Sequence, residues 1–133
     1  MMEFRAFDMK KDYGEVCSWW RDHKWDPVPM SHLPDYGGWL VEEDGVNLAA
    51  GWLYLTGTKF AQFEWLVVNP NAPIKKRAVA IEHLIKNVTL MAKQMGLESI
   101  YHCTKPGGLV RMMERNGFKT TDDGMVNLIW RVS

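Results

Sequence analysis

The chain has 133 residues and a mass of 15.4 kDa, which is the size of a single domain. We therefore expect residues 1–133 to form one domain. Sixteen Lys and Arg residues balance sixteen Asp and Glu residues, and 47% of the residues are hydrophobic. This composition excludes a mainly disordered chain, and the zero net charge argues against a protein held to nucleic acid by bulk charge.

The sequence also bears on cellular setting and metal content. Two cysteines are too few for a disulfide framework, and no Cys/His pair has the spacing of zinc ligands. The region after Met1 has no secretory apolar run, and no stretch reaches 18 uninterrupted apolar residues. We therefore expect a cytoplasmic protein that contains no metal and does not associate with a membrane.

The first half of the chain combines strand and helix patterns. Glu3–Phe7 alternates as a strand does, and Asp8 can cap an amphipathic helix over Lys10–Lys24. Three prolines within residues 27–34 predict a shaped loop with a short helical turn. Three strands are predicted next, at Gly38–Glu43, Asn47–Thr56 and Phe60–Val68.

The second half begins with the clearest helical pattern. Apolar residues step by four and three from Ile74 to Met95, with Asn71 as the expected N-cap and Gly96 near the C-terminal cap. The remaining predicted elements are a strand, a helix and two closing strands: Ser99–Thr104, Leu109–Arg115, Phe118–Thr121 and Met125–Val132. The order β-α-α-β-β-β-α-β-α-β-β predicts an α+β fold with a mixed sheet.

Two stretches carry a family resemblance. Leu66-Val67-Val68-Asn69-Pro70 precedes a basic turn and a helix, and Glu114-Arg115-Asn116-Gly117-Phe118 ends a later helix. They resemble the central strand, the pyrophosphate loop and the closing helix end of the GNAT superfamily of acyl-CoA-dependent N-acyltransferases. The resemblance implies a mostly antiparallel sheet of six to seven strands flanked by helices, and the size is similar to that of small, divergent, phage-encoded members.

The resemblance implies that acetyl-CoA or another acyl-CoA binds as co-substrate. The residues implied to bind it are Leu66, Val67, Val68, Lys75, Lys76, Arg77 and Ala78. Family members usually cradle the pyrophosphate on backbone N–H groups of a glycine-containing loop. The matching residues 71–78 contain no glycine, so phosphate binding would depend on the basic side chains at the positive end of the helix. The alternative is that these residues form only a solvated basic turn.

Glu64 is the candidate general base. Transfer to an amine requires a group that takes a proton near pH 7, and some family members use a glutamate on the corresponding strand. A carboxylate in so apolar a strand should have a raised pKa. Strict alternation would put Glu64 on one face with Phe60, Gln62, Leu66 and Val68, and the other face would hold Ala61, Phe63, Trp65 and Val67. The alternative is a structural role for Glu64, as a partner of Lys59 or of a neighbouring polar group.

Two further positions concern the acid and the acceptor. Many family members carry a tyrosine in the last helix that protonates the departing thiolate, and the matching residue here is Met113. Trp19, Trp25 and Tyr36 are candidates to line a pocket for an amine acceptor of unknown identity. The alternative is that these aromatic residues cover the edge of the core.

Three functions are compatible with the resemblance. The first is acyl-CoA-dependent N-acyl transfer, with acetyl as the expected group and direct transfer assisted by Glu64. The second is a catalytically silent GNAT-fold protein with a structural or interaction role, such as a phage virion or host-takeover component. The third is a modifier of nucleic-acid bases on the same fold. An exposed edge on the closing strands would also permit a homodimer.

Overall fold

The computed structural model describes residues 1–132. The five strands are β1 (Met2–Ala6), β2 (Gly38–Glu43), β3 (Val46–Leu55), β4 (Phe60–Val68) and β5 (Ser99–Tyr101). The three α-helices are α1 (Met9–Asp22), α2 (Ile74–Gln94) and α3 (Gly108–Arg115), and a short 3₁₀ turn spans Met30–His32. None of the helices in this described part is long and apolar enough to cross a bilayer.

The strands form one mixed sheet in the order β1-β2-β3-β4-β5. The first four strands pair antiparallel with their sequence neighbours. Short turns join β2 to β3 and β3 to β4, whereas α1 and the 3₁₀ turn lie between β1 and β2. β5 pairs parallel to β4, and α2 provides the long connection that a parallel pair requires. The predicted α+β fold class and mostly antiparallel sheet are therefore confirmed.

The two faces of the sheet carry separate apolar cores. One face packs against α2 and includes the fully buried Phe63, Leu84 and Val88. The other face packs against α1 and includes Trp20 and Trp52, whose rings lie 5.6 Å apart. Each large side chain removed from water contributes roughly 1.5–3 kcal/mol, so helices on both faces are needed to stabilise so short a chain.

Side-chain carboxylates cap the N-terminus of α1. The Asp8 side chain accepts hydrogen bonds from the backbone N–H groups of Lys10 and Lys11, as the sequence predicts. Asp12 is 1% exposed and receives two hydrogen bonds from Arg5, at 2.8 and 3.0 Å. Burial alone would raise the pKa of Asp12, but the hydrogen bonds from Arg5 and from the Asp8 N–H lower it below its usual value.

The N-terminus of α2 is open by contrast. The predicted N-cap at Asn71 is wrong, because Pro73 occupies the cap position and no side chain there bonds the first turn. Asn71 is instead held in the preceding turn, where its N–H donates to the Asn69 side chain at 2.9 Å. The first-turn N–H groups of α2, from Ile74 to Lys76, therefore have no partner within the helix.

The C-terminal part departs most from the sequence prediction. The predicted strands Phe118–Thr121 and Met125–Val132 are wrong: residues 118–132 contain no strand, and the sheet has five strands rather than six to seven. Alternation alone does not make a strand, because a strand also needs a partner edge, and β5 offers only three residues. The large apolar side chains that remain exposed there are Met125, Val126, Leu128, Ile129, Trp130 and Val132.

Candidate active site

A bulge in β4 determines which side chains reach the site. The pairing of β3 with β4 shifts its register between Ala50 and Trp52, and Trp65 on the facing strand has φ of +63°. This left-handed conformation is rare for a bulky residue and adds one unpaired residue to the strand. Glu64 lies opposite Trp52, and Val67 lies opposite Ala50.

The bulge reverses the facing of the residues that follow it. Glu64 and Val67 share the α1 face of the sheet, because the residues opposite them pack in the α1 core. Phe63 and Leu66 share the α2 face. The expected grouping of Glu64 with Leu66 and Val68 is therefore wrong, since one extra residue shifts the period of two.

Glu64 is a half-buried carboxylate without a protein partner. Burial raises its pKa, as the apolar strand predicts. No cation or hydrogen-bond donor within residues 1–132 offsets this desolvation. A structural pairing with Lys59 is therefore absent from the described part of the chain.

A cavity of about 360 Å³ opens at Glu64. It is lined by His32, Tyr54, Gln62, Glu64 and Trp65. The indole N–H of Trp65 donates to the Tyr54 hydroxyl at 2.7 Å, and that hydroxyl donates to the His32 carbonyl at 2.6 Å. Burial raises the pKa of Tyr54, the hydrogen bond from Trp65 opposes this, and the nearby charge of Glu64 adds to it. The two aromatic rings are therefore held in place beside the carboxylate.

Strands β4 and β5 separate beside this cavity. Their parallel pairing ends at Gln62 and Tyr101, and the next contact is a 2.7 Å hydrogen bond from the His102 imidazole to the Phe63 carbonyl. Burial lowers the pKa of His102 although that hydrogen bond opposes the shift, so the ring is neutral near pH 7. Beyond this point, no strand within residues 1–132 lies beside this edge of β4 as far as Val68.

The open edge ends near the first turn of α2. The Val68 carbonyl accepts a 3.0 Å hydrogen bond from the His23 ring, which stacks on Trp25 at 4.8 Å. Antiparallel residues alternate in the direction of their backbone groups. The Val68 carbonyl points away from β3, and its N–H therefore points to the open side as well.

The three basic residues of the α2 turn differ in availability. Lys76 forms a 2.8 Å ion pair with Glu43, and the Arg77 Nε donates to the Ala72 carbonyl at 2.9 Å. Lys75 is exposed and forms no ion pair with any residue in the range 1–132. The groups at this turn that remain available to an anion are therefore the Lys75 side chain and the free N–H groups of the first turn, next to Ala78.

The three aromatic residues expected at an acceptor pocket do not surround the cavity. Trp19 is 2% exposed and packs in the α1 core, whereas Tyr36 is 91% exposed. Trp25 is half exposed and stacks on His23. The cavity is lined by other aromatic residues, Tyr54 and Trp65. Tyr54 lies opposite Gln62, two residues before Glu64, so the period of two along the β3–β4 hairpin was the sequence signal that could have identified it.

Within residues 1–132, no tyrosine lies at the family's acid position, which Met113 occupies. Met113 is 4% exposed and packs in the α2 core. The Tyr54 hydroxyl is already engaged as a donor to His32, and Tyr101 packs edge-on against Phe60 at 4.9 Å.

Solved structures share this arrangement of helices and strands. The ribosomal-protein-S18-alanine N-acetyltransferase of Escherichia coli superposes with a TM-score of 0.71 at 16% identity, over 92% of this chain and 80% of that one. An aminoglycoside acetyltransferase from an uncultured soil metagenomic sample gives 0.69 at 9% identity, over 99% and 97%. A predicted acetyltransferase of Clostridium acetobutylicum with acetyl-CoA gives 0.59 at 16% identity, over 97% and 96%.

Sequence comparison adds no closer relationship. No protein-family model matches the chain, and no curated protein matches it. The structural likeness nevertheless extends over nearly the whole chain, at TM-scores well above those of unrelated folds. The chain therefore has the GNAT acetyltransferase fold.

Proposed function

We propose that the chain is an acyl-CoA-dependent N-acyltransferase that transfers an acyl group, with acetyl expected, directly to an amine. One observation carries this proposal. The open edge of β4 connects the unpaired carboxylate of Glu64 with the uncapped N-terminus of α2. A candidate proton acceptor and a candidate anion site thus lie at the two ends of one stretch of β4 backbone that has no strand beside it in the described part of the chain.

The residues at this edge fit an acyl-CoA in part. Leu66, Val67 and Val68 would hold the pantetheine arm through backbone groups of the open edge. The N–H groups of the α2 first turn, Lys75 and the backbone of Ala78 would hold the pyrophosphate. Lys76 and Arg77 can add to this only after releasing their present partners, and the absence of glycine limits how closely a phosphate approaches.

The bound acyl-CoA supplies an activated thioester carbonyl. The Glu64 carboxylate accepts a proton from the acceptor nitrogen as the bond between nitrogen and the acyl carbon forms and the carbon–sulfur bond breaks. The backbone N–H of Val68, on the open side of β4, stabilises the negative charge that develops on the carbonyl oxygen. The raised pKa of Glu64 suits this role, because it brings the carboxylate closer in basicity to the amine.

The departing sulfur leaves without a dedicated protein acid. A thiol has a pKa near 8.5, so a thiolate is a tolerable leaving group near neutral pH and solvent can protonate it. General acid catalysis is typically worth about 10²–10⁴-fold, so we expect a slower enzyme than a GNAT protein with a tyrosine at the Met113 position.

A second candidate is a silent GNAT-fold protein that binds a partner. The internal engagement of Lys76 by Glu43 and of Arg77 by the Ala72 carbonyl supports it, because these contacts occupy two of the three cations of the phosphate turn. This function predicts no affinity for acyl-CoA.

Thermal unfolding with and without acetyl-CoA distinguishes the two candidates. Ligand at about 100 times its dissociation constant adds ~2.7 kcal/mol, which raises the Tm of a domain this size on the order of 5–15 °C. The Lys75→Ala/Lys76→Ala variant should lose most of this rise. The matched control is Lys10→Ala/Lys11→Ala, since these lysines occupy the first turn of α1, where Asp8 already caps the helix. No rise at millimolar acetyl-CoA would reject the transferase and favour the silent protein.

A further inference from the structure

The cavity beside Glu64 contains more than a candidate base. Its lining holds one carboxylate, two aromatic rings, one amide and His32, and neither Lys nor Arg is among the lining residues. The carboxylate is half buried without a compensating cation in the described part of the chain. An arriving cation would therefore regain part of the interaction energy that this carboxylate lost when burial removed its water.

The rings at the cavity are fixed rather than mobile. Trp65 donates its indole N–H to Tyr54, whose hydroxyl hydrogen is bonded to the His32 carbonyl. The backbone of Trp65 is also held in a left-handed conformation, which is unfavourable for so large a residue and persists only when its surroundings impose it. Although held in this way, the indole is 42% exposed, so part of its surface is open to a ligand.

The combination of hydrogen-bonded aromatic rings with an unpaired carboxylate is the chemistry that recognises an organic cation. An ammonium is attracted both to the ring quadrupole of Trp65 and to the charge of Glu64. A carboxylate or phosphate on the same ligand close to the nitrogen would be repelled by Glu64. The cavity has a volume of about 360 Å³ and is open to solvent, so it can receive the ammonium end of a longer group.

We propose that Trp65, Tyr54 and Glu64 form a cation pocket that selects acceptors as protonated primary alkyl amines without an acidic group near the nitrogen. This inference rests on the proposed function, because it treats the cavity as the acceptor site. Trp65 acts as a specificity-determining residue here. Glu64 pairs with the ammonium, takes its first proton and passes it to solvent, and then accepts the second proton as the bond to the acyl carbon forms. A free alkyl amine and the amine of an extended lysine-like side chain both present this group.

A binding experiment tests the pocket without requiring turnover. n-Butylammonium is titrated into the full chain, and the indole N–H resonance of Trp65, assigned by its loss in Trp65→Phe, reports the dissociation constant. Butan-1-ol is the neutral probe of similar shape. We expect the cation to bind at least about tenfold more tightly than the alcohol, because only the cation has a charge for Glu64 and the rings.

Substitutions identify the side chains that bind the cation, and calorimetry measures the affinity of each variant for butylammonium. Trp65→Leu should weaken butylammonium binding about 2- to 30-fold, and Trp65→Phe should retain most of the affinity because it keeps an aromatic face. Glu64→Gln should remove the preference for the cation over the alcohol. Trp130→Leu is the matched control, since Trp130 is exposed in the C-terminal part and lines no cavity at the site.

The outcomes separate this inference from the proposed function. Equal binding of the cation and the alcohol, or unchanged affinity in Trp65→Leu, overturns the cation pocket even if acyl transfer is observed. Selective binding of butylammonium supports the pocket. If such binding occurs but millimolar acetyl-CoA does not raise the Tm, the transferase proposal fails and the pocket stands as a cation-binding site only.

Discussion

Phe63 and Glu64 are adjacent in β4, yet they belong to different parts of the molecule. Phe63 is fully buried in the apolar core on the α2 face, with the His102 ring 6.0 Å from its own. Glu64 lies on the α1 face and opens into a cavity with polar and aromatic walls. Phe63 is thus covered by packing on the α2 face, whereas the α1 face is open at Glu64.

This difference shows how a small domain can place its stabilising packing and its candidate functional carboxylate on opposite faces of one sheet. A carboxylate on the α2 face would be desolvated beneath a helix with no solvent access, and its charge would cost several kcal/mol. On the α1 face the loop around His32 leaves a gap beside the sheet. The bulge at Trp65 maintains this separation, because it keeps Leu66 on the packed face while Trp65 itself projects beside the cavity.

The largest expected effect is on the α1 face. Glu64→Gln removes the proton acceptor, so kcat/KM for amine acylation should fall about 10²–10⁴-fold. In the wild-type chain the rate should rise with pH through the raised pKa of Glu64, and this acidic limb should be absent in the variant. A pH–rate profile of both proteins with saturating acetyl-CoA provides the measurement.

The effect of Glu64→Gln on stability should be opposite to its effect on activity. Because folding raises the pKa of Glu64, the folded state favours the protonated carboxyl, and the free energy of unfolding falls as pH rises from the ordinary glutamate pKa through the folded one. Glu64→Gln abolishes this fall, so denaturant unfolding should show it to be at least as stable as the wild type at pH 7. A less stable variant at neutral pH, with full activity, would make Glu64 a structural residue.

The next effect is on the α2 face. Phe63→Ala removes a buried ring and should lower the free energy of unfolding by about 3–5 kcal/mol, because the surrounding helix and strands cannot fill the cavity. Trp130→Ala is the matched control, since Trp130 is 82% exposed and its loss should change stability by less than about 0.5 kcal/mol. Similar losses in urea unfolding for both variants would show that the C-terminal segment is part of the core.

Much of the fold could be predicted from local pattern. The 4-3 spacing that begins at Ile74 identifies α2, and Asp8 identifies the start of α1, because both signals arise within one element. The strands at Gly38–Glu43 and Phe60–Val68 also have the predicted bounds. Local pattern could not predict whether the two closing strands form, since a strand needs a partner edge and alternation does not reveal one.

The candidate site was less predictable for the same physical reason. Glu64 stands out as a lone carboxylate in an apolar strand, so its residue type identifies it. The residues that surround Glu64 in the fold cannot be identified from their residue types, because the extra residue at Trp65 becomes visible only when β3 and β4 are paired. The engagement of Lys76 by Glu43 is likewise a contact between distant segments, which a basic stretch by itself cannot show.

The last prediction concerns the bulge in β4. A Cβ added at Gly51, opposite the bulge, would lie 2.7 Å from the Leu66 Cδ1 and 2.8 Å from the Phe63 Cε1. Gly51→Ala should therefore lower the free energy of unfolding by about 1–3 kcal/mol through overpacking, because Phe63 is buried and has no free space to move into.

Gly45→Ala is a control for the loss of a glycine alone. Gly45 has φ of +79° in an open turn where an added Cβ meets nothing within 4 Å, so its cost comes only from the backbone and should be about 1 kcal/mol. The two variants also differ at the site, since a shift of Phe63 and Leu66 at the bulge moves Trp65, which lies between them. We therefore expect Gly51→Ala, and not Gly45→Ala, to shift the indole N–H resonance of Trp65. An unchanged resonance in both would mean that the bulge is set by β4 alone and that the packed face does not position the cavity.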